Sequence, residues 1–471
     1  MPVNTAHAAG LGLPPSPASV EVFLNGAVDT EPVAGAAPVA TLAELFGSLL
    51  PRAGAVVVIA LPGSTALLRH FFGTLFAGAV PVLAAPTTPA SRLGELARRL
   101  GATALVVPRG KAVPYTTAAR AQLPGADVLV LPGPHRLHRP GQVILLTSGT
   151  SGVSSGCLHS ASALMRNAAW HAASIGLTSD DTMLVNLPMH FSYALVAQVL
   201  AAMSAGARIV VDRPPCSQAR YTAMLKEYGV TASSLMPCFV RRLLAGGWSA
   251  PRGLRALTVG GDMLEAGAVG ALLSRAPGTE IYLTYGLAEA GPRVSTLAAH
   301  LEPPHRHTSC GRPLDGVGIT LRPRGEDGPA ELVVASETVM LSRVGVPEGE
   351  ANTALITPGR VATGDLFDVD RDGYLYFRSR LTDFLVVNGS RVSLGSVRRL
   401  ASSLPGVVGA RTRPGLEECG EPSYELDLYM HDMSDDAVER ATSALLGGLL
   451  RTEHPHRIRA LPHDSVEALP K

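Results

Sequence analysis

Lysine is nearly missing from this chain. Lys111, Lys226 and Lys471 are the three lysines among 40 basic residues, and the rest are arginine. Chemistry that needs a lysine ammonium must therefore use one of those three. Cysteine is also scarce. Cys157, Cys216, Cys238, Cys310 and Cys419 are scattered, with no C-x-x-C pair and no metal-ligand spacing. That excludes a disulfide framework and fits free thiols in a reducing, cytoplasmic compartment. A strong net charge is absent, since 39 acidic residues balance the 40 basic ones. No net field points toward nucleic acid or an anionic membrane. Long apolar runs are absent as well; VVVIALPG stops short of a membrane span. The first 20 residues lack the basic and apolar regions of a signal peptide.

What is present is an alternation of strand-like and helix-like segments. AVVVIALPG, AVPVLAAP and ATALVVP read as short buried strands. STALLRHFFGTLFAG and SRLGELARRLG between them carry helical apolar spacing. This rhythm predicts an α/β protein with a mostly parallel sheet covered by helices. Residues 310–380 shift to short strands with Gly and Pro turns, which predicts a β-rich subdomain. Residues 1–19 read as disordered, 20–380 as a large domain, and 381–471 as a small, mobile α+β domain. The 471 residues suit such a division.

One stretch stands out, LLTSGTSGVSSGCLHS at 145–160. Gly, Ser and Thr crowd together straight after an apolar strand, and the stretch sits inside the α/β rhythm. Such a loop brings backbone N–H groups close to an anion. It is not a Walker A motif, because no lysine is near. Four further stretches add weight: CGRPLDGVGI, YGLAEAG, ATGDLFDVDRDGYLYF and RSRLTDFLVVNGSRVS.

In their order and spacing these stretches resemble the core motifs of the adenylate-forming superfamily. That group comprises acyl- and aryl-CoA synthetases, adenylation domains of nonribosomal peptide synthetases, and luciferases. The family loop T-S-G-T-T-G-x-P-K-G reads TSGTSGVSSG from Thr147 to Gly156. Y-G-x-T-E reads Tyr285 to Glu289, T-G-D reads Thr363 to Asp365, and G-R-x-x-D reads Ser379 to Asp383. The resemblance implies ATP and Mg²⁺ as cofactors. It places Thr147, Ser148, Gly149, Thr150, Ser151 and Gly152 around the β- and γ-phosphates and Glu289 on the metal. It assigns Asp365 to the ribose hydroxyls and Arg380 to ribose or α-phosphate oxygens. Tyr285 and Gly286 would meet adenine beside Gly260 and Gly261. The acyl pocket would draw on His190, Phe191, Tyr193, Met236 and Gly260, with no evident Lys or Arg counter-ion. An aryl or short acyl acid suits such a lining.

The chain also departs from the family. Ser155 stands at the loop lysine, Ser154 at the proline, Ala288 at the threonine of Y-G-x-T-E, and Thr382 at the hinge. The family's catalytic lysine lies near the C-terminus, where this chain has only Lys471, its last residue. Catalytic roles are therefore expected for Glu289, Arg380 and Lys471. His159 reads as a loop residue and the cysteines as bystanders.

Three readings follow. The first is a stand-alone ATP-dependent ligase that adenylates a small carboxylic acid and passes it to a CoA or carrier-protein thiol. The second is a specialised branch, either amide-forming or an ATP-dependent diazotase using nitrite. The third is a non-catalytic nucleotide- or acyl-binding member. Retention of Glu289, Asp365 and Arg380 disfavours the third.

Overall fold

The structure is a computed structural model. It describes residues 16–32, 37–111, 117–123, 125–147, 155–213, 216–324, 330–346, 354–381, 384–387, 390–416, 422–449 and 453–464.

Two eight-stranded sheets form the bulk of the chain. The first sheet runs in the order Val28–Asp29, Arg208–Val211, Thr182–Val185, Ala232–Leu235, Ala256–Gly260, Glu280–Gly286, Arg293–Ala298 and Arg312–Pro313. It is parallel as far as Glu280–Gly286 and antiparallel beyond. In the second sheet Val56–Ile59 pairs in parallel with Val80–Leu83 and Ala104–Pro108. Its four residues, all Val or Ile, are fully buried, as a strand covered on both faces must be. Each such side chain contributes about 1.5–3 kcal/mol on burial. The outer strands of this sheet are antiparallel, so within the mostly parallel α/β arrangement expected from the sequence this sheet is mixed. The cause is local: hairpins such as Ala119–Leu123 with Ala126–Val130 return directly without a crossover helix.

Helices fill the space between the sheets. Thr65–Phe76 starts on Ser64, whose Oγ accepts from the Leu67 N–H at 3.2 Å. Gly73 lets this helix touch Val39–Leu49, since a Cβ there would lie 2.6 Å from Leu42 Cβ. Phe71, Phe72, Leu164, Met165 and Val199 share the resulting core.

The β-rich subdomain is an antiparallel sheet of Gly318–Arg322, Ala330–Ala335, Arg360–Val369 and Leu355–Thr357, with Leu375–Arg380 paired to Arg360–Val369. Beyond it, Leu394–Ser403 and Asp435–Gly448 pack on a sheet of Val407–Leu416, Pro422–Met430 and Arg457–Pro462. Val397, Leu426, Leu428 and Leu445 belong to a separate core there.

The disordered start is corrected in part. Residues 17–19 open the helix Pro17–Asn25, capped by Ser16, because Val20 and Leu24 find a place in the main core. Residues 1–15 lie outside the described residues. Among the described residues no helix is long and apolar enough to cross a membrane.

Candidate active site

The Gly/Ser/Thr stretch joins two antiparallel strands, Gln142–Thr147 and Ser155–Ser160, with Thr147 opposite Ser155. Thr147 Oγ1 lies 3.1 Å from both the carbonyl and the hydroxyl oxygen of Ser155. The loop is therefore shorter than the sequence suggested. Ser155 and Gly156 are strand residues, and a Cβ on Gly156 would meet Ile144 Cγ2 at 2.3 Å. Ser148, Gly149, Thr150, Ser151 and Gly152 lie outside the described residues, as do Thr382, Asp383 and Lys471. Lys111 donates to the carbonyls of Pro86 at 3.0 Å and Thr88 at 3.3 Å, and Lys226 is exposed on the helix Gln218–Glu227.

His159 is a correction. It is a fully buried strand residue, not a loop residue, because the strand returns beneath the 285–289 turn. Its Nε2 bonds the Ala288 carbonyl at 2.8 Å. Burial is the main reason its pKa falls to about 4, which leaves it neutral at pH 7. A neutral ring that donates to Ala288 holds Glu289 in place from behind.

Strand Glu280–Gly286 delivers Tyr285 and Gly286, and a short turn carries Glu289. Gly286 has no room for a side chain, since a Cβ would sit 2.1 Å from the Pro292 carbonyl oxygen. The Tyr285 hydroxyl donates to Asp365 Oδ2 at 2.7 Å, and its ring meets Phe367 edge to face at 4.8 Å. Burial, then the charge of Asp365, hold this phenol well above its usual pKa. Arg380 Nε lies 3.2 Å from Asp365 Oδ1. The hairpin turning at Asp372-Gly373 explains this contact, because its register sets Asp365 opposite Arg380. Asp365 is 3% exposed. Three residues taken from three motifs thus meet at one carboxylate.

Glu289 has a partner that the motifs did not reveal. Arg343 Nη2 donates to Glu289 Oε1. Arg343 comes from Ser342–Val344, which adds to the edge of the second sheet with Arg343 opposite Cys157. Cys157 is two residues from Ser155, the position that lost its lysine, so the strand carrying Arg343 runs along the same strand as that position. Arg343 Nε is buried without a hydrogen-bond partner. The buried Cys157 thiol is pushed well above its usual pKa, chiefly by desolvation, and is inert.

Among the described residues no three His, Cys, Asp or Glu side chains converge on a metal position. Glu289 instead offers one carboxylate. That donor set suits Mg²⁺, which takes one or two protein carboxylates and draws its other ligands from phosphate and water.

On the acyl side, Gly260 ends strand Ala256–Gly260, and a Cβ there would lie 2.3 Å from Thr284 Oγ1 and 3.3 Å from the Tyr193 hydroxyl. Gly261 follows with φ of +92°, a conformation that favours glycine. Tyr193 is buried and its hydroxyl lies 3.0 Å from Thr258 Oγ1. It opens a π-helix, Tyr193–Leu200. His190 packs on Phe191, ring centres 4.3 Å apart, and burial lowers its pKa to about 4. Phe191 is one of the exposed large apolar residues, and Met236 caps the helix Pro237–Ala245. The sequence showed no evident Lys or Arg counter-ion here; the Arg293 guanidinium lies over the Tyr193 ring at 4.7 Å and is buried. It was missed because it follows the Y-G-L-A-E stretch by four positions and is brought back by the next antiparallel strand.

Comparison with known proteins agrees with this fold. The family described as AMP-binding enzyme matches residues 38–342. The 4-coumarate–CoA ligase 1 of Oryza sativa subsp. japonica is 25% identical over 323 residues, 64% of this chain and 57% of that ligase. The chain thus spans little more than half the length of that relative. The Bacillus subtilis O-succinylbenzoate coenzyme A synthetase in complex with AMP superposes with a TM-score of 0.72 at 20% identity, covering 90% of this chain and 88% of that one. The amide bond synthetase McbA from Marinactinospora thermotolerans gives 0.71 at 19% identity, covering 95% and 96%. With more than half of its length matched, the chain belongs to the AMP-binding enzyme family.

Proposed function

We propose that this chain is an ATP-dependent ligase that adenylates a small carboxylic acid, releases pyrophosphate and passes the acyl group to a coenzyme A or carrier-protein thiol. The observation that carries the reading is the meeting of Tyr285 and Arg380 on the buried Asp365, beside the Glu289–Arg343 pair. Asp365 would accept hydrogen bonds from the ribose hydroxyls, and Arg380 would donate to ribose or α-phosphate oxygens. Thr147 offers a hydroxyl at the base of the phosphate loop. Glu289 would hold Mg²⁺, which offsets phosphate charge when bound; the Bacillus subtilis synthetase has been solved with ATP and magnesium ion.

Adenylation moves negative charge from the α-phosphate toward departing pyrophosphate. Fixed cations aimed at that charge lower the barrier without reorganising. Arg343 would supply one of them at the place where Ser155 replaces the loop lysine. Lys471 remains a proposed second source from the small C-terminal unit, whose boundary we place after Arg380. A cytoplasmic location accords with the free thiols.

The acceptor is tested by mass spectrometry of reactions holding ATP, an acid, and coenzyme A or an amine. A thioester is the expected product. An amide would move the chain to the amide-forming branch, and nitrite-dependent AMP release to the diazotase branch. No AMP from any combination would overturn the ligase reading.

A further inference from the structure

Arg293 is 3% exposed, and its Nε and Nη2 are buried with no hydrogen-bond partner. No carboxylate approaches it among the described residues; its close contact is the Tyr193 ring at 4.7 Å. Its neighbour His171 is fully buried with neither ring nitrogen bonded. Burial, reinforced by the charge of Arg293, drives His171 well below its usual pKa, so it is neutral and can still donate one N–H.

An arginine without a counter-ion in such a place is costly. It is nevertheless held firmly. Asn167 Oδ1 accepts from the Arg293 backbone N–H at 2.8 Å, and Asn167 Nδ2 donates to the Arg293 carbonyl at 2.9 Å. The tether to the acyl side is short. The Tyr193 hydroxyl is 3.3 Å from where a Gly260 Cβ would lie, and a Cβ on Gly286 would lie 3.3 Å from the Arg293 Cα. A rigid, dry, fork-shaped donor beside the acyl pocket is the arrangement that recognises a carboxylate in two-point fashion.

We infer that the acid activated by this chain carries a second carboxylate, which seats against the Arg293 guanidinium with His171 beside it. The inference rests on the adenylating reading and narrows its substrate to dicarboxylic acids of aryl or short acyl type. One carboxylate faces ATP, and the other neutralises Arg293 and repays its desolvation.

The test pairs isophthalate with benzoate, and glutarate with butyrate, in ATP–pyrophosphate exchange using the full chain, R293M and R293K. We expect the wild type to favour each diacid. The diacid-to-monoacid ratio of kcat/KM should fall on the order of 100-fold in R293M, the factor expected when one partner of a buried charge pair is removed, and recover in part in R293K. Methionine fills similar volume, and retained ATP binding reports that the variant is folded. Robust exchange with monoacids, with a ratio that R293M leaves unmoved, overturns the inference while the adenylating reading stands. If no acid exchanges, calorimetric binding of the diacids still decides. Binding by wild type and not by R293M supports the subsite even as the adenylating reading fails; equal binding, or none, overturns both.

Discussion

Replacing Asp365 by Asn separates nucleotide recognition from folding. The Asp365 carboxylate accepts from Tyr285 at 2.7 Å and pairs with Arg380 at 3.2 Å, while its residue is 3% exposed. Asn keeps the size and an oxygen that can still accept from Tyr285. The pair with Arg380 is partly solvated, since that side chain is 53% exposed, so its loss costs at most about 1 kcal/mol of stability. Binding suffers more. On the proposed function two ribose hydroxyls would lose a charged acceptor, and hydrogen bonds to charged groups contribute about 1.5–3 kcal/mol each. A combined loss of about 3 kcal/mol corresponds to about 100-fold in kcat/KM for ATP. Pyrophosphate exchange against ATP concentration, read beside thermal unfolding, measures both quantities. A folded D365N enzyme whose kcat/KM for ATP stays within a few-fold of wild type would refute the ribose assignment.

Three further outcomes follow from the same geometry. R343M should lower kcat/KM for ATP roughly tenfold through loss of a fixed cation, and adding S155K to it should restore part of that activity, measured by pyrophosphate exchange. Gly260→Ala forces a methyl to within 2.3 Å of Thr284 Oγ1, so it should cost about 1–3 kcal/mol in urea unfolding and raise KM for the acid. His159 has a folded pKa of about 4 against 6.5 unfolded. The unfolded chain therefore binds the extra proton in that window, and stability present above pH 6.5 drains away as pH falls toward 4. The loss reaches about 3 kcal/mol at the lower end, and H159Q should flatten that limb of the urea-derived stability profile.

The legible part of the site lay in short contiguous motifs. Tyr285, Gly286 and Glu289 follow one strand, and Asp365 meets Arg380 because a single Asp-Gly hairpin sets their register. Local sequence carries such contacts. Arg343, His159 and Arg293 were not legible as site residues, for one shared reason. Each reaches the site through pairing between strands. Arg343 lies opposite Cys157 although 186 positions separate them by number, and His159 sits under Ala288 across 129 positions. No periodicity records such a partner. The antiparallel outer strands of the second sheet were not legible either, because strand direction depends on whether a connection crosses over, and the apolar pattern of a buried strand is the same either way. The buried four-residue strands and the change to β-rich texture near 310 were readable, because burial on both faces and turn residues leave direct marks in composition.

Acid-dependent ATP–pyrophosphate exchange by this chain tests the central claim most directly, with aryl and short acyl acids, their dicarboxylic counterparts, and nitrite as the panel. The account predicts exchange that requires an organic acid and Mg²⁺ and that is strongest with a diacid. Tight ATP binding with no exchange for any organic acid would contradict it, because the Asp365, Glu289 and Arg380 constellation would then hold a nucleotide without activating a carboxylate.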